Sequence, residues 1–258
     1  MLEAQPGHKG RIIIAGEGVP MTTHSEKGEI PRVEVGREVQ LRELLVFLLL
    51  IVPSMVLSFF AVRLGTLSFV LTAYATIFRD IGLVCLVVYF LWRNKEEVSR
   101  IGWVWKGRLW GDVFVGVVLF GVMFLGAGLL EEGLRAANVS RPSTPMPSFL
   151  AARGAAQFVL AGVLVVIVAI AEETVFRGYL MLRLNAVTRR SAAAVILSSI
   201  IFALGHGYEG TAGVATVGYM GLFFALVYMW RRSLIAPIIM HFLQDFIAVV
   251  VLPLSGTR

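Results

Sequence analysis

Three stretches of this sequence set ionisable side chains inside apolar runs. The first is Ala171-Glu172-Glu173-Thr174-Val175-Phe176-Arg177-Gly178, the second is Phe202-Ala203-Leu204-Gly205-His206, and the third is His241-Phe242-Leu243-Gln244-Asp245. A spacing of four puts two side chains on one helix face. It joins Glu173 to Arg177 as an ion pair, Phe202 to His206 as a ring contact, and His241 to Asp245. Glu172 lies about 100° round the helix from Glu173, so the same contact does not neutralise it. Phe176 stands one turn beyond Glu172 on its own face. A carboxylate beside an aromatic ring and away from water suits a general base. A carboxylate one turn from a histidine fixes its tautomer and orientation.

Amide hydrolysis needs an activated water, a base, and donors for a tetrahedral oxyanion. These acids and imidazoles supply all three. Glu172, His206 and His241 would equally make a His₂Glu set for zinc. The chain carries no HExxH motif, however, and the favoured reading uses no cofactor. A second pair of charges, Arg79 and Asp80, are sequence neighbours near one end of another apolar run. Local pairing accounts for them.

Charged residues are costly inside a membrane, so the elements that carry them matter. Of 258 residues, 57% are apolar and 16% charged, and the mean hydropathy is +0.80. Soluble domains average roughly 45–50% apolar and about 25% charged. A soluble domain, a disordered chain and a disulfide scaffold are all excluded, the last by the single Cys85. The net charge of +6 follows from basic residues flanking apolar runs, which is the pattern of membrane topology and not of nucleic-acid binding.

Residues 1–40 are polar and read as a flexible cytoplasmic tail. His8 and His24 lie there with no clustered partner ligands. Residues 41–258 form one transmembrane domain. Its apolar runs fall at about 44–62, 70–92, 112–130, 155–182, 192–205, 213–230 and 234–252. The expectation is an all-α, polytopic membrane helix bundle of about seven to eight transmembrane segments. The fifth run is short, which predicts a tilted helix or one broken through Gly205, Gly207, Gly210 and Gly213. Alternating spans put sixteen Lys and Arg residues on one side and five on the other, so the N-terminus is expected in the cytoplasm. At 1.5 Å per residue, Glu172 sits roughly 18 Å into its run, His206 about 22 Å and His241 about 10 Å. Glu172 and His241 then meet in depth. His206 falls roughly 10 Å nearer the outer face unless tilt or a break absorbs the difference.

Glu-Glu-x-x-x-Arg, Phe-x-x-x-His and His-x-x-x-Asp, in this order, resemble the motif set of the CAAX-protease and bacteriocin-processing family (CPBP, or Abi) of intramembrane proteases. The likeness rests on Glu172, Glu173, Arg177, Phe202, His206, His241 and Asp245, and covers residues 155–252. It implies a helical bundle around a water-filled cavity. By that likeness Glu172 activates water, His206 helps position it, and His241 with the residue at 245 stabilises the oxyanion. Glu173 and Arg177 are the structural pair beside the base. Eukaryotic CAAX proteases carry Asn at the last position. Ionised Asp245 cannot donate to an oxyanion, so it orients His241, which becomes the donor.

The resulting expectation is an intramembrane endopeptidase. It would cut a membrane-embedded peptide or lipidated protein, prenylated or not, near its C-terminus. Its other partner is the lipid bilayer, and a prokaryotic plasma membrane is implied. The alternative is a non-catalytic membrane scaffold or bacteriocin-immunity-type protein of the same family, keeping the polar core for stability. A proton-coupled transporter carries little weight, because no inverted repeat is visible.

Overall fold

In lipid every backbone polar group must be satisfied within its own segment, which forces long apolar runs into helices. The computed structural model describes residues 35–61, 68–104, 109–139 and 151–255. The tail expected over 1–40, including His8 and His24, lies outside the described residues as far as 34. All described residues fall within the unit Val33–Arg258.

The chain runs through α1 (Arg37–Ala61), α2 (Phe69–Arg93), α3 (Leu109–Ala136) and α4 (Gly154–Glu173). A wide π-helical segment, Thr174–Leu180, links α4 to α5 (Met181–Thr188). Then come α6 (Ser191–Leu204), α7 (Gly210–Arg231), α8 (Ile235–Phe246), a second π-helical segment Ile247–Val251, and the single turn α9 (Leu252–Leu254). Among the described residues there is no strand. Among the described residues six stretches are long and apolar enough to cross a bilayer, including Gly154–Thr188 and Ile235–Leu254 as continuous runs, while α6 is a shorter apolar helix. The expected seven to eight crossings are therefore six full-length helices and one short one. The all-helical membrane bundle is as the composition required.

Helix ends follow local chemistry. Ser68 caps α2 by accepting the Leu71 N–H at 3.2 Å. Arg189 and Arg232 close α5 and α7 in the left-handed region at φ 58° and 55°. In the bundle α2 packs on α4, α4 on α8, α3 on α7 and α8, and α6 on α5 and α7. Helix α1 lies against α5, α6 and the short turn Gly207–Glu209. Many large apolar side chains point outward, among them Leu49, Phe78, Phe114 and Leu129. A membrane protein presents such a surface to lipid.

Away from the three motifs, one ionic cluster ties the first half of the chain to the second. Arg183 on α5 is fully buried. It pairs with Glu43 of α1 at 3.0 Å and with Glu96, which follows α2. Glu96 also accepts from Arg100 at 2.6 Å. The Tyr179 hydroxyl donates to Glu43 at 3.2 Å, and its ring packs between Phe47 and Phe90 at 5.3 and 6.0 Å between centroids. Breaking a buried pair by removing one partner costs about 3–5 kcal/mol, because the other charge is left uncompensated. Arg183→Met is therefore expected to lower the unfolding free energy of the detergent-solubilised protein by about 3–5 kcal/mol, and its Tm with it. Adding Glu43→Gln should recover part of it. An unchanged Tm in the single variant would show the cluster to be dispensable.

Candidate active site

The polar residues of the three motifs converge because α4 packs on α8 and the π-helical segment that follows α4 packs on α6. Glu173, the last residue of α4, has no exposed surface. Its Oε1 accepts a hydrogen bond from Arg177 Nη1 at 2.9 Å, and the same oxygen lies 2.9 Å from His241 Nδ1 on α8. A carboxylate only accepts, so Nδ1 carries the hydrogen. Spacing alone made Asp245 the group that orients His241. In the structure the shorter contact is with Glu173, from another helix. Asp245 Oδ2 stands 3.4 Å from His241 Nε2 on the opposite edge of the ring.

Arg177 sits in the π-helical segment. It donates from Nη2 to the Gly221 carbonyl of α7 at 3.3 Å. Its guanidinium lies over Phe202 at 4.1 Å and over Phe224 at 5.1 Å. Desolvated cation–π contacts of this kind contribute about 2 kcal/mol or more. The same two rings pack on His241: Phe224 stacks on it at 5.5 Å and Phe202 meets it edge-on at 5.8 Å. Phe202 also touches Phe176 at 5.2 Å and His206 at 5.1 Å, the latter contact as its i,i+4 spacing required. Ser198 of α6 donates to the Phe176 carbonyl at 2.9 Å. This gives the widened turn a partner for a carbonyl next to the site.

Glu172 points the other way, into a cavity of about 680 Å³. Its Oε1 is 3.4 Å from Arg79 Nη2 on α2. Its Oε2 is buried, has no hydrogen-bond partner and lies 4.0 Å from His241 Nε2. Glu172, His206, His241 and Asp245 all line this cavity, with Phe176 and Phe202. The depth mismatch expected for His206 is absorbed by a break in the chain. Helix α6 stops at Leu204, the turn Gly207–Glu209 follows, and α7 starts at Gly210. His206 sits in the break, where Nδ1 faces the Phe202 carbonyl at 3.2 Å. A carbonyl accepts, so Nδ1 donates.

Two contributions escaped the spacing argument. Arg79 and Asp80 do pair locally, with Nε donating to Oδ1 at 2.8 Å, but Arg79 also reaches Glu172. Charge inside an apolar run was the signal for it. Ser58 of α1 had no signal. Its hydroxyl accepts the Gly207 N–H at 3.0 Å and contacts the Leu204 carbonyl at 3.2 Å, so it bridges the break that holds His206. Among the described residues no three His, Cys, Asp or Glu side chains are arranged to hold a metal ion.

A site of carboxylates and imidazoles lining a cavity inside a bundle of membrane-length helices is of the kind an integral membrane hydrolase uses. Residues 154–247 match a family model described as type II CAAX prenyl endopeptidase Rce1-like. The CPBP resemblance read from the motifs therefore holds over the segment that carries them, and that family is one of CAAX-type intramembrane proteases. No curated protein and no solved structure matches the chain.

A buried donor left without its partner costs about 1–3 kcal/mol. Ser58→Ala orphans the Gly207 N–H next to His206. It is expected to destabilise the fold by about 1–3 kcal/mol and lower the Tm accordingly, whereas Ser58→Thr should keep the bridge. Equal Tm values for the two variants would show that the hydroxyl does not hold the break.

Proposed function

We propose that this protein is an intramembrane endopeptidase that hydrolyses a peptide bond near the C-terminus of a membrane-bound, lipidated or embedded substrate, using water activated by Glu172. One observation carries the reading: a carboxylate oxygen without a partner, Glu172 Oε2, and a histidine nitrogen face each other at 4.0 Å on one cavity wall. That gap is too long for a hydrogen bond and suits a bridging water.

In the proposed reaction the water oxygen bonds to the substrate carbonyl carbon as Glu172 takes one of its protons. The carbonyl π electrons move onto oxygen. His241, donating to Glu173 through Nδ1, stabilises that oxyanion from Nε2–H in its doubly protonated form. Asp245 holds this edge of the ring until the oxyanion competes for the donor. When the C–N bond breaks, the proton held by Glu172 passes to the leaving nitrogen, giving a carboxylic acid and an amine. His206, with Nε2 as acceptor, orients the water. Glu173 and Arg177 keep His241 in place. The cavity's apolar wall, from Met55, Phe69, Leu164 and Val168, suits a hydrophobic C-terminal segment. No step is routed through a metal.

Positioned acid–base groups typically supply 10²–10⁴-fold in rate. Glu172→Gln is therefore expected to lower cleavage of a quenched prenylated C-terminal peptide by about 10²-fold or more. Its Tm should stay near wild type, and wild-type cleavage should survive a chelator. Full activity in Glu172→Gln would remove the glutamate mechanism. Loss of activity in chelator would move the assignment to a metal enzyme. No cleavage by a folded wild-type protein would favour the scaffold reading.

A further inference from the structure

We propose that Arg79, anchored by Asp80, is a positioning residue for the Glu172 carboxylate, so that α2 supplies part of the site although it lies outside the segment matching the family. The inference rests on the reading of Glu172 as the base. A local pair of sequence neighbours needs no third group. Here the guanidinium uses Nε on Asp80 Oδ1 at 2.8 Å and extends Nη2 to Glu172 Oε1 at 3.4 Å, across 93 positions of sequence.

Burial divides the pair into an anchor and an arm. Asp80 is 2% exposed, while the Arg79 side chain is 46% exposed and lines the cavity. Among the described lining residues Arg79 is the only Lys or Arg, facing the carboxylates of Asp80, Glu131, Glu172, Glu209 and Asp245. The contact also selects between the two oxygens of Glu172. Oε1 is taken by Arg79, and Oε2 is left for the side facing His241. A carboxylate with one oxygen fixed has little freedom to rotate its other oxygen away from the reacting water. Misplacing a catalytic group by about 1 Å costs on the order of 10²-fold in rate. Asp80 acts one step further back, by fixing the guanidinium on a helix that packs against α4.

The test compares kcat, KM and Tm for wild type, Arg79→Met, Arg79→Lys and Glu172→Gln on the same quenched prenylated peptide. In Arg79→Met, kcat is expected to fall about 10²-fold with KM unchanged, and Arg79→Lys should recover part of the loss. Because Arg79 opens onto the cavity, guanidinium added well below denaturing concentrations should raise the rate of Arg79→Met and leave Glu172→Gln inactive. If Arg79→Met does not fold, Arg79→Gln carries the same comparison, since its amide still donates to Asp80. An unchanged kcat overturns the inference. So does a loss confined to KM, which would make Arg79 a substrate contact. A fall in Tm and kcat without guanidinium rescue would reduce it to a structural role. Activity retained in Glu172→Gln would instead overturn the reading of the base. Activity lost there but kept in Arg79→Met would overturn this inference alone.

Discussion

A single oxygen atom, Glu173 Oε1, is shared by a guanidinium and an imidazole with no access to solvent. Burying a carboxylate is unfavourable by several kcal/mol unless its partners are close and well directed. Glu173 Oε1 is satisfied from within its own helical run by Arg177 and from α8 by His241. Arg177 in turn reaches the Gly221 carbonyl of α7. Three segments of the bundle are therefore located by one charge. Gly221 matters to this arrangement, because a Cβ there would come within 3.0 Å of Phe202 and 3.3 Å of Arg177. The aromatic rings then enclose the network: Phe202 and Phe224 each cover both the guanidinium and the imidazole.

The consecutive glutamates have opposite roles because they face about 100° apart on a helix. Glu173 turns to the protein interior, where its Oε1 is paired with both Arg177 and His241. Glu172 turns to the cavity and keeps one oxygen free of hydrogen-bond partners. The same dipeptide thus provides a buried ion-pair partner and a cavity-facing carboxylate. The π-helical segment that follows keeps the Glu173–Arg177 contact at 2.9 Å and offers the Phe176 carbonyl to Ser198 on α6. Widened turns of this kind recur at functional sites in helices.

The membrane class and the helical bundle were legible because composition and run length are direct consequences of the solvent. The i,i+4 pairs were legible because they are properties of one helix: Glu173 with Arg177, Phe202 with His206, and His241 with Asp245. What spacing could not supply was contact between helices. The bond from Glu173 to His241, the reach of Arg79 to Glu172 and the bridge of Ser58 at Gly207 join residues 68, 93 and 149 positions apart. Depth estimates assumed straight helices, and His206 departed from them because α6 ends early at glycines. The break itself was readable from Gly205, Gly207 and Gly210, but the hydroxyl that satisfies it was not. A serine in an apolar helix has no periodicity that would mark it.

Helix α6, with 14 residues, is roughly 21 Å long against a hydrocarbon core of about 30 Å. Hydrophobic mismatch of this size is met by tilting the helix, by bending the bilayer inward, or by covering the shortfall with neighbouring helices. Ser58 on α1 accounts for part of that covering. Where lipid adjoins the short helix and the bilayer responds by thinning, the interface would dip toward the level of His206. Under the proposed function, a peptide held at the surface would then travel a shorter distance through hydrocarbon to reach the carboxylates, and bilayer thickness would bear on the reaction as well as on the fold.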